Sequence, residues 1–340
     1  MPASGYGSGI LGINNAGTWT GFFEDADGVH GFVRSADGVL TALNFPDSSF
    51  TVALGIADDG VVVGYTADAT DTVRGFIARS ATRLKSGHTD IGVLFEGGAF
   101  EFEVHAEDTD TEYSPDAALL NLPPLTQTVV PTNASYAFLG AAGAPVWVLP
   151  GVENPKLLFL GLAAEEIEQG VFENDELRFA LKGVEGPGHF ALYSIDGFGV
   201  PQVHMNSGDG LDTNDVKSVQ AGSHEDFYWA FTSPGLYRVK FQVSGTLVAG
   251  SQFIESEEVE FCFEVIGIET RLAIARSGGN ATINFVTQDG LTYQLESAPA
   301  VTGPWANEGA AFLGTGREKT ITVPLSPGAA FFRMKASAGN

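Results

Sequence analysis

The sequence is poor in the features that usually identify a class of protein. Among its 340 residues there is one cysteine, Cys262, so no disulfide can form within the chain. It has 17 lysines and arginines against 42 aspartates and glutamates, a formal net charge of −25. A surface this acidic repels nucleic acid and anionic membranes, which excludes both as expected partners. It could also attract cations, although a solvated acidic surface accounts for the charge equally well.

Long apolar runs are also lacking. No stretch of 18 apolar residues occurs, so the sequence predicts no membrane-spanning helix. The opening residues, MPASGYGSGILGINN, have neither the basic segment nor the apolar core of a secretory signal. Either the protein stays inside the cell or its signal lies upstream of this chain. We expect the second, an extracellular or cell-surface protein, because of the resemblances described below.

The motifs of several common enzyme classes do not occur. There is no Gly-x-Ser-x-Gly elbow, His-Glu-x-x-His pair, P-loop or dinucleotide fingerprint. Cys262 lies in an apolar strand with no basic neighbour, a poor setting for a nucleophile. The adjacent pairs Glu165-Glu166 and Glu257-Glu258 should not each face one site, and we interpret them as solvated surface. The sequence therefore favours a protein without catalytic activity.

Glycine and phenylalanine are abundant, with 43 and 25 residues. Apolar and aromatic residues recur with period two, most clearly in the segment 222–265, and this pattern predicts strands with one buried face. We predict an all-β protein with propeller-like N-terminal repeats, a central β-sandwich and a small C-terminal β-sandwich. The one predicted helix is short and covers residues 163–170 (AAEEIEQG).

Residues 1–84 contain an internal repeat. The hexapeptide GINNAG at 12–17 recurs as GIADDG at 55–60, a spacing of 55 − 12 = 43, and HGF at 30–32 recurs as RGF at 74–76. A period in the low forties with short strands and glycine turns predicts propeller-like blades, although two units cannot close a propeller. These residues resemble the HAF family of extracellular repeats.

Residues 85–267 contain a series of ordered sequence blocks. They are HTDIG at 88–92, VWVLP at 146–150, LGL at 160–162, GPG at 186–188, NS at 206–207 and His224 with WAFT and PGLY at 229–237. In these blocks the region resembles the choice-of-anchor M domain, which is related to an actinobacterial surface-anchored repeat. The resemblance implies an exported, surface-attached bacterial β-protein, and relatives encoded beside metal-uptake transporters imply metal binding. The family carries Gly-His-x-His before a tryptophan, whereas here the second histidine is replaced by Asp226.

Residues 268–340 form the third predicted unit. The blocks TYQLES at 292–297, GTG at 314–316 and FFR at 331–333 resemble a small C-terminal β-sandwich found in large secreted proteins of planctomycetes and verrucomicrobia. Predicted strands cover 271–275, 281–286, 292–297, 319–323 and 331–335.

Three histidine–carboxylate pairs have the spacing i, i+2, which places both side chains on one face of a strand. They are His88/Asp90, His105/Glu107 and His224/Asp226. If the strand ends that carry them meet at one end of the sandwich, they supply enough nitrogen and oxygen ligands for zinc or manganese. The alternative is that they are polar residues capping the sandwich. The predicted metal ligands are His88, Asp90, His105, His224 and Asp226.

The loop at 206–215 (NSGDGLDTND) is a second candidate cation site. Its clustered oxygen atoms would suit calcium, but the loop lacks the closing glutamate of an EF-hand, and an ordinary solvated turn fits as well. His204, just before it, is predicted to point outward. The predicted calcium ligands are Asn206, Asp209, Asp212, Asn214 and Asp215.

These patterns support three hypotheses about function. The leading one is an exported, non-enzymatic surface protein whose central domain binds zinc or manganese. The alternative is a structural or adhesive module that binds protein or glycan without a metal. The third is a metal-dependent hydrolase, which would need a general base such as Glu107 or Glu225, and Glu225 has the wrong parity relative to His224.

Overall fold

The computed structural model describes residues 7–45, 48–268, 272–324 and 331–338, and most of them lie in strands. The all-β prediction is confirmed. The helices of the described residues are 3-10 turns of three to six residues, at Glu107–Thr109, Pro115–Ala117, Pro124–Thr126, Ala134–Leu139, Glu173–Asp175 and Ala249–Ser251.

The chain divides into two compact units, with the boundary between Thr82 and Arg83. The first unit is built on one seven-stranded sheet in the order β1-β2-β3-β5-β6-β7, with β4 paired to β3. The sheet is open, and the structure does not support the propeller interpretation. Its strands are β1 (Ser8–Ile13), β2 (Trp19–Asp25), β3 (Gly28–Arg34), β4 (Leu40–Leu43), β5 (Phe50–Ile56), β6 (Val62–Ala67) and β7 (Val73–Ala78).

The two repeats of this unit contact each other at equivalent positions. The Asn14 Nδ2 atom donates to the Ala57 carbonyl at 3.2 Å, and the Asn15 backbone N–H donates to Asp58 Oδ1 at 2.9 Å. The turn residues of the repeat therefore hydrogen-bond across a spacing of 43 positions, a structural role that the sequence pattern did not reveal.

The second unit, from Arg83 onward, begins with three sheets. The outer sheet has the order β11-β10-β9-β15-β20, the central sheet β19-β16-β22-β24-β12-β8 with β23 on β22, and the side sheet β13-β14-β21-β17-β18. Their strands are β8 (Thr82–Leu84), β9 (Gly87–Glu96), β10 (Ala99–Ala106), β11 (Thr111–Tyr113), β12 (Ala118–Leu122), β13 (Gln127–Val129), β14 (Pro145–Leu149), β15 (Leu158–Ala163), β16 (Glu176–Glu185), β17 (Phe190–Ile195), β18 (Pro201–Asn206), β19 (Val216–Gln220), β20 (His224–Asp226), β21 (Tyr228–Phe231), β22 (Gly235–Thr246), β23 (Phe253–Glu255) and β24 (Val259–Val265).

All three sheets contribute to one apolar core. Phe102 of the outer sheet meets Phe261 of the central sheet edge-to-face with ring centroids 5.5 Å apart. Trp229 of the side sheet stacks on Phe263 at 5.6 Å, and its indole N–H donates to the Leu160 carbonyl. This packing fixes the face that the outer sheet turns inward and leaves its opposite face toward solvent. The strands predicted from period two in residues 222–265 are confirmed.

A smaller pair of sheets completes the second unit, with its own core around Ile283, Tyr293 and Leu295. The predicted strand at 271–275 is shifted, because β25 begins at Ala273, and Arg271 lies outside the described residues, as do 1–6, 325–330 and 339–340 of the predicted units. The strands are β25 (Ala273–Ser277), β26 (Asn280–Val286), β27 (Leu291–Ala298), β28 (Ala306–Asn307), β29 (Phe312–Leu313), β30 (Glu318–Pro324) and β31 (Phe331–Ala338).

The predicted helix at 163–170 is wrong. β15 continues through Ala163, and the segment after it forms turns. The Ala164 N–H donates to the Ser223 carbonyl at 2.9 Å, and the Ala164 carbonyl accepts from the Gly222 N–H at 2.8 Å. Helix formation over so few residues is intrinsically unfavourable, and these contacts with a distant segment replace it. The consequence is that Glu165 and Glu166 stand beside β20.

Candidate metal centre

The outer sheet presents polar side chains on the face that points away from the core. Along β9, Ile91 and Val93 are buried in the core, so His88 and Asp90 lie on the opposite face. Along β10, Phe102 and Val104 point inward and His105 outward. The alternation of the strands therefore assigns the predicted histidines and aspartates to one surface.

Strand register brings these residues side by side. Asp90 is the cross-strand partner of His105 on β10 and of Gly161 on β15. Gly161 is in turn the partner of Asp226 on β20. In the next row, Ala163 pairs with Gly92 on one side and with His224 on the other. Direct cross-strand partners have Cβ atoms about 4.5–5.5 Å apart, so the side chains of each row can meet.

Small residues make the floor of this surface. A Cβ atom at Gly161 would overlap Asp90 Oδ1 and would come within 3.1 Å of Asp226 Oδ1. Gly92 and Ala163 leave similar space in the adjoining row. We call the depression above these three residues the bowl, and its walls are His88, Asp90, His105, His224 and Asp226.

His88, His224 and Asp226 come together at one side of the bowl. One ligand atom from each lies within 4.8 Å of the other two. The His88 Nε2 atom is 3.3 Å from Asp226 Oδ1 and 3.5 Å from Asp90 Oδ2, and His224 Nε2 is 4.0 Å from Asp226 Oδ2. The His88 ring packs against Phe159 with ring centroids 5.0 Å apart, which restricts its orientation.

Glu165 orients the second histidine. The Nδ1 atom of His224 lies 2.6 Å from Glu165 Oε1, which leaves Nε2 directed at the bowl. A carboxylate that accepts a hydrogen bond from a ligating imidazole fixes its tautomer and makes it a better ligand. Burial lowers the pKa of His224, but the bond to Glu165 and the charges of Asp90 and Asp226 outweigh it and raise the pKa above its ordinary value.

Asp90 is the most deeply buried member, with its side chain 1% exposed. Neither carboxylate oxygen has a hydrogen-bond partner. Burial raises the pKa of Asp90 to about 6, against the lowering influence of His88 and His224. Burial likewise raises the pKa of Asp226. A buried carboxylate without a partner is costly, because its lost hydration is not replaced.

His105, Glu103 and Glu107 occupy the other side of the bowl. Together with Asp90, Glu165 and Glu166 they line a cavity of about 10 Å3. The His105 Nδ1 atom is 2.9 Å from Glu107 Oε1. Burial raises the pKa of Glu103, and nearby Glu112 raises it further.

The bowl concentrates the unpaired polar atoms of the described chain. Nine buried side-chain nitrogen and oxygen atoms lack a hydrogen-bond partner, and six of them belong to the bowl and to Glu107. Within the described residues, Asp90, Asp226, Glu107 and Glu165 form ion pairs with histidines alone. The group therefore carries surplus negative charge and open coordination capacity in one place.

The predicted site residues thus lie together on the outward face of one sheet. His88, His105, His224 and Asp226 lie at or next to the ends of their strands, as the sequence predicted, and Asp90 lies two residues further along β9. Sequence reasoning missed Gly161, Glu103 and the pair Glu165-Glu166. Both residues of that pair are solvent-exposed, as predicted, and they also line the cavity, which the sequence pattern did not indicate. The block around Leu160 drew attention to Gly161, but no spacing rule indicated its role.

The predicted calcium loop has a different character. The two oxygens of Asp215 accept from the backbone N–H groups of Asn206 and Asp212 at 2.7 and 2.8 Å. Asp212 accepts from the N–H of Asn214, and Asn206 Oδ1 from that of Gly208. Four of the five predicted ligands, Asn206, Asp212, Asn214 and Asp215, are thus engaged within the loop, and Asp209 stands outside these bonds.

Two other sequence interpretations need correction. His204 does not point outward: its Nε2 atom lies 2.9 Å from Ser194 Oγ, and its ring meets Phe227 edge-on. Cys262 does have a basic neighbour, because Arg238 is its cross-strand partner. Burial nevertheless raises the pKa of Cys262, so the thiol stays poorly suited to nucleophilic attack.

Comparisons with known proteins add no family to this picture, since neither family models nor curated proteins match the sequence. Within the described residues, no helix has the length and apolar character needed to cross a membrane.

Proposed function

We propose that this chain is a divalent-cation-binding protein, with His88, His224, Asp226 and Asp90 as the ligands of one zinc or manganese ion. The observation that carries the proposal is Asp90, a fully buried carboxylate with no hydrogen-bond partner that stands beside two histidines and a second carboxylate. A cation supplies the missing partner for all of these groups at once.

The distances from His88 to its two carboxylate neighbours fit a shared ion, and His224 Nε2 lies farther away, 4.0 Å from Asp226 Oδ2. Ligand atoms bound to zinc at about 2.0–2.1 Å in a tetrahedron stand roughly 3.3 Å apart. His88 Nε2 lies 3.3 Å from Asp226 Oδ1 and 3.5 Å from Asp90 Oδ2. These separations are too long or too poorly aligned for good hydrogen bonds, and they are close to the edges of a coordination tetrahedron.

The donor types agree with the same class of ion. Imidazole suits zinc, and carboxylate oxygens suit manganese, so two of each accommodate either metal. Glu165 behind His224 supplies the orienting carboxylate that metal-bound histidines commonly have. The replacement of a family histidine by Asp226 keeps a competent ligand at this position.

Metal-free protein titrated with zinc or manganese tests the proposal. We expect a rise in melting temperature with at least one equivalent of bound metal, because an ion that binds only the folded state stabilises it. The variant His224→Ala should lose most of this rise. The matched control is His189→Ala, which removes an exposed histidine of the same domain. An unchanged melting temperature, or equal responses of the two variants, would rule the proposal out.

The setting that we propose is the bacterial cell surface or the extracellular space. It is supported by the resemblance of residues 85–267 to the choice-of-anchor M domain and of 1–84 to HAF repeats. Detection of the native protein in the exported fraction of its source bacterium would support this setting, and its recovery with cytosolic markers would overturn it.

One observation favours adhesion as a second function. Phe198, at the tip of the β17–β18 hairpin, is 94% exposed. Asp196 holds this tip rigidly by accepting from the N–H groups of Phe198 and Val200, both at 2.9 Å. An exposed aromatic ring on a rigid turn can contact another protein or a glycan at little entropic cost. Arrays of proteins and glycans, probed with the wild type and with Phe198→Ser, test this function. Binding that is lost in Phe198→Ser would establish adhesion through Phe198, and arrays that capture no wild-type protein would rule it out.

A further inference from the structure

The two repeats of the first unit are stacked, and each one contacts the other through a different face. Strand β5 of the second repeat (β5–β7) contacts β1, β2 and β3 of the first repeat (β1–β4). A Cβ atom at Gly12 would come within 2.9 Å of the Gly55 Cα atom, so the two backbones approach closely. We call the side of a repeat that contacts a following repeat the forward face, represented here by Gly12 and Thr20. The side that contacts a preceding repeat is the rear face, represented by Ala53.

Solvent exposure at equivalent positions shows that this stacking leaves two faces uncovered. Thr20 is 0% exposed on the forward face of the first repeat, whereas Val63, its equivalent 43 positions later, is 46% exposed. Ala53 is 0% exposed on the rear face of the second repeat, whereas its equivalent in the first repeat, Ile10, is 59% exposed. The second repeat therefore has an open forward face and the first repeat an open rear face, and each carries an apolar residue.

The open forward face keeps the small residue that the covered one uses. Gly55 is the equivalent of Gly12, and a Cβ atom there would meet only Val63 Cγ2, at 3.7 Å. The φ angle of Gly55 lies outside the left-handed region, so its backbone conformation does not require glycine. Repeat stacks usually end in polar outer faces, whereas Ile10 and Val63 are apolar. The two open faces thus resemble the faces of internal repeats rather than capped ends.

We propose that the open forward face of one copy binds the open rear face of a second copy, so that the chain associates head to tail through its first unit. The contact within the unit supplies the template, because the same two kinds of face meet there. Each copy uses two different surfaces, which makes the contact heterologous. Such contacts extend into rings or open filaments rather than stopping at a symmetric dimer. The inference is independent of the proposed cation site.

The polar residues of the contact also match. Within the unit, the Asn15 backbone N–H donates to Asp58 Oδ1 at 2.9 Å, and the Asn15 Nδ2 atom donates to Asp58 Oδ2 at 2.6 Å. Asn15 and Asp58 are themselves equivalent positions, so stacking of two copies brings Asp58 of one copy to Asn15 of the next. An amide can donate to a carboxylate in either arrangement, so the contact between copies repeats the chemistry of the contact within the unit.

Sedimentation velocity of the full chain over a range of concentrations tests the proposal. The measurement is made at about 0.15 M salt, where repulsion between the acidic copies is screened beyond about 8 Å. The wild type should form species larger than a dimer as its concentration rises. Ile10→Glu on the rear face and Val63→Glu on the forward face should each abolish association, because either change buries an unpaired charge in the contact. An equal mixture of the two variants should form dimers and nothing larger, since one pair of unmodified faces can still meet.

The matched control is Leu54→Glu. Leu54 and its equivalent Leu11 are 47% and 46% exposed, so stacking covers neither, and the variant should associate like the wild type. A wild type that stays monomeric, a mixture that stays monomeric, or association that only one face variant disrupts would overturn the proposal. Hydrogen exchange of the wild type decides the question even if a variant fails to fold. The segments that contain Ile10 and Val63 should exchange more slowly at high concentration, and unchanged exchange would count against head-to-tail association.

Discussion

The bowl and the loop at 206–215 are both rich in acidic and amide side chains, and both were candidate cation sites from the sequence. In the loop, the oxygens of Asp215 are saturated by two backbone N–H groups. In the bowl, the oxygens of Asp90 have no donor at all. The comparison teaches that the number of acidic residues does not identify a cation site, whereas the oxygens left without a hydrogen-bond donor do.

The largest expected effect is the loss of cation binding when Asp90 of the bowl is replaced. Asp90→Asn should weaken cation binding by more than 100-fold, because it removes a charged ligand from the centre of the site. In the metal-free protein the same change should be neutral or stabilising, because the carboxylate is buried without a hydrogen-bond donor and its ion pair with His88 is long, at 3.5 Å. Titration calorimetry and urea denaturation of the metal-free protein measure the two effects. A clear loss of metal-free stability would contradict our account of the bowl.

The loop should respond in the opposite way. Asp215→Ala leaves the N–H groups of Asn206 and Asp212 without an acceptor in a mostly buried position, so we expect a loss of about 1–3 kcal/mol in the free energy of unfolding. Binding of zinc or manganese should be unchanged. Urea denaturation measures the loss, with Asp209→Ala as the control from the same loop. If Asp215→Ala instead abolished metal binding, the claim that the bowl binds the cation and the loop does not would be wrong.

A smaller effect is expected from the residue behind the site. Glu165→Gln keeps a side chain that can contact His224 but removes the charge that orients it, and such changes usually lower metal affinity by about 10–100-fold. Competition with a chelator of known affinity measures the loss. Glu168→Gln, in the same exposed turn, provides the comparison. Equal affinities of both variants and wild type would remove Glu165 from the site.

The smallest effect concerns pH and lies away from both regions. Burial lowers the pKa of His204, and Lys217 lowers it further. The unfolded chain therefore binds a proton more readily than the folded one, and His204 removes stability as pH falls through the ordinary value of about 6.5. His204→Gln can keep a contact with Ser194 without taking up a proton. We expect a flatter pH dependence of unfolding between pH 7 and 5, by at most about 1.4 kcal/mol per pH unit. An unchanged slope would contradict it.

The sequence predicted local geometry well and long-range pairing poorly. Period two correctly placed His88 with Asp90 and His224 with Asp226 on shared strand faces, because side-chain alternation is a local property. It could not show that β9 and β15 pair in parallel, because register between distant segments depends on the whole core. Gly161 leaves space between Asp90 and Asp226 only because of that pairing, so its role could not be predicted from the sequence.

The misassigned segment after β15 shows a second limit. AAEEIEQG has good helix formers, but its backbone groups bond to the turn at 222–223. A distant partner therefore outweighed local propensity, and it brought Glu165 to His224. In the first unit, the 43-residue period correctly indicated equivalent turns, while the sheet that they form stays open.

The strand order of the outer sheet has a consequence for folding. β9 pairs with β15 in parallel, and β20 joins them from much later in the chain. In the unfolded chain the ligand side chains are far apart, so they cannot bind one cation together. The cation can bind only after these distant strands have paired. A bound ion would then stabilise the pairing of β9, β15 and β20 at a late stage of folding. Its escape should follow global opening of the sheet, on the timescale of slow hydrogen exchange, rather than fraying of one edge.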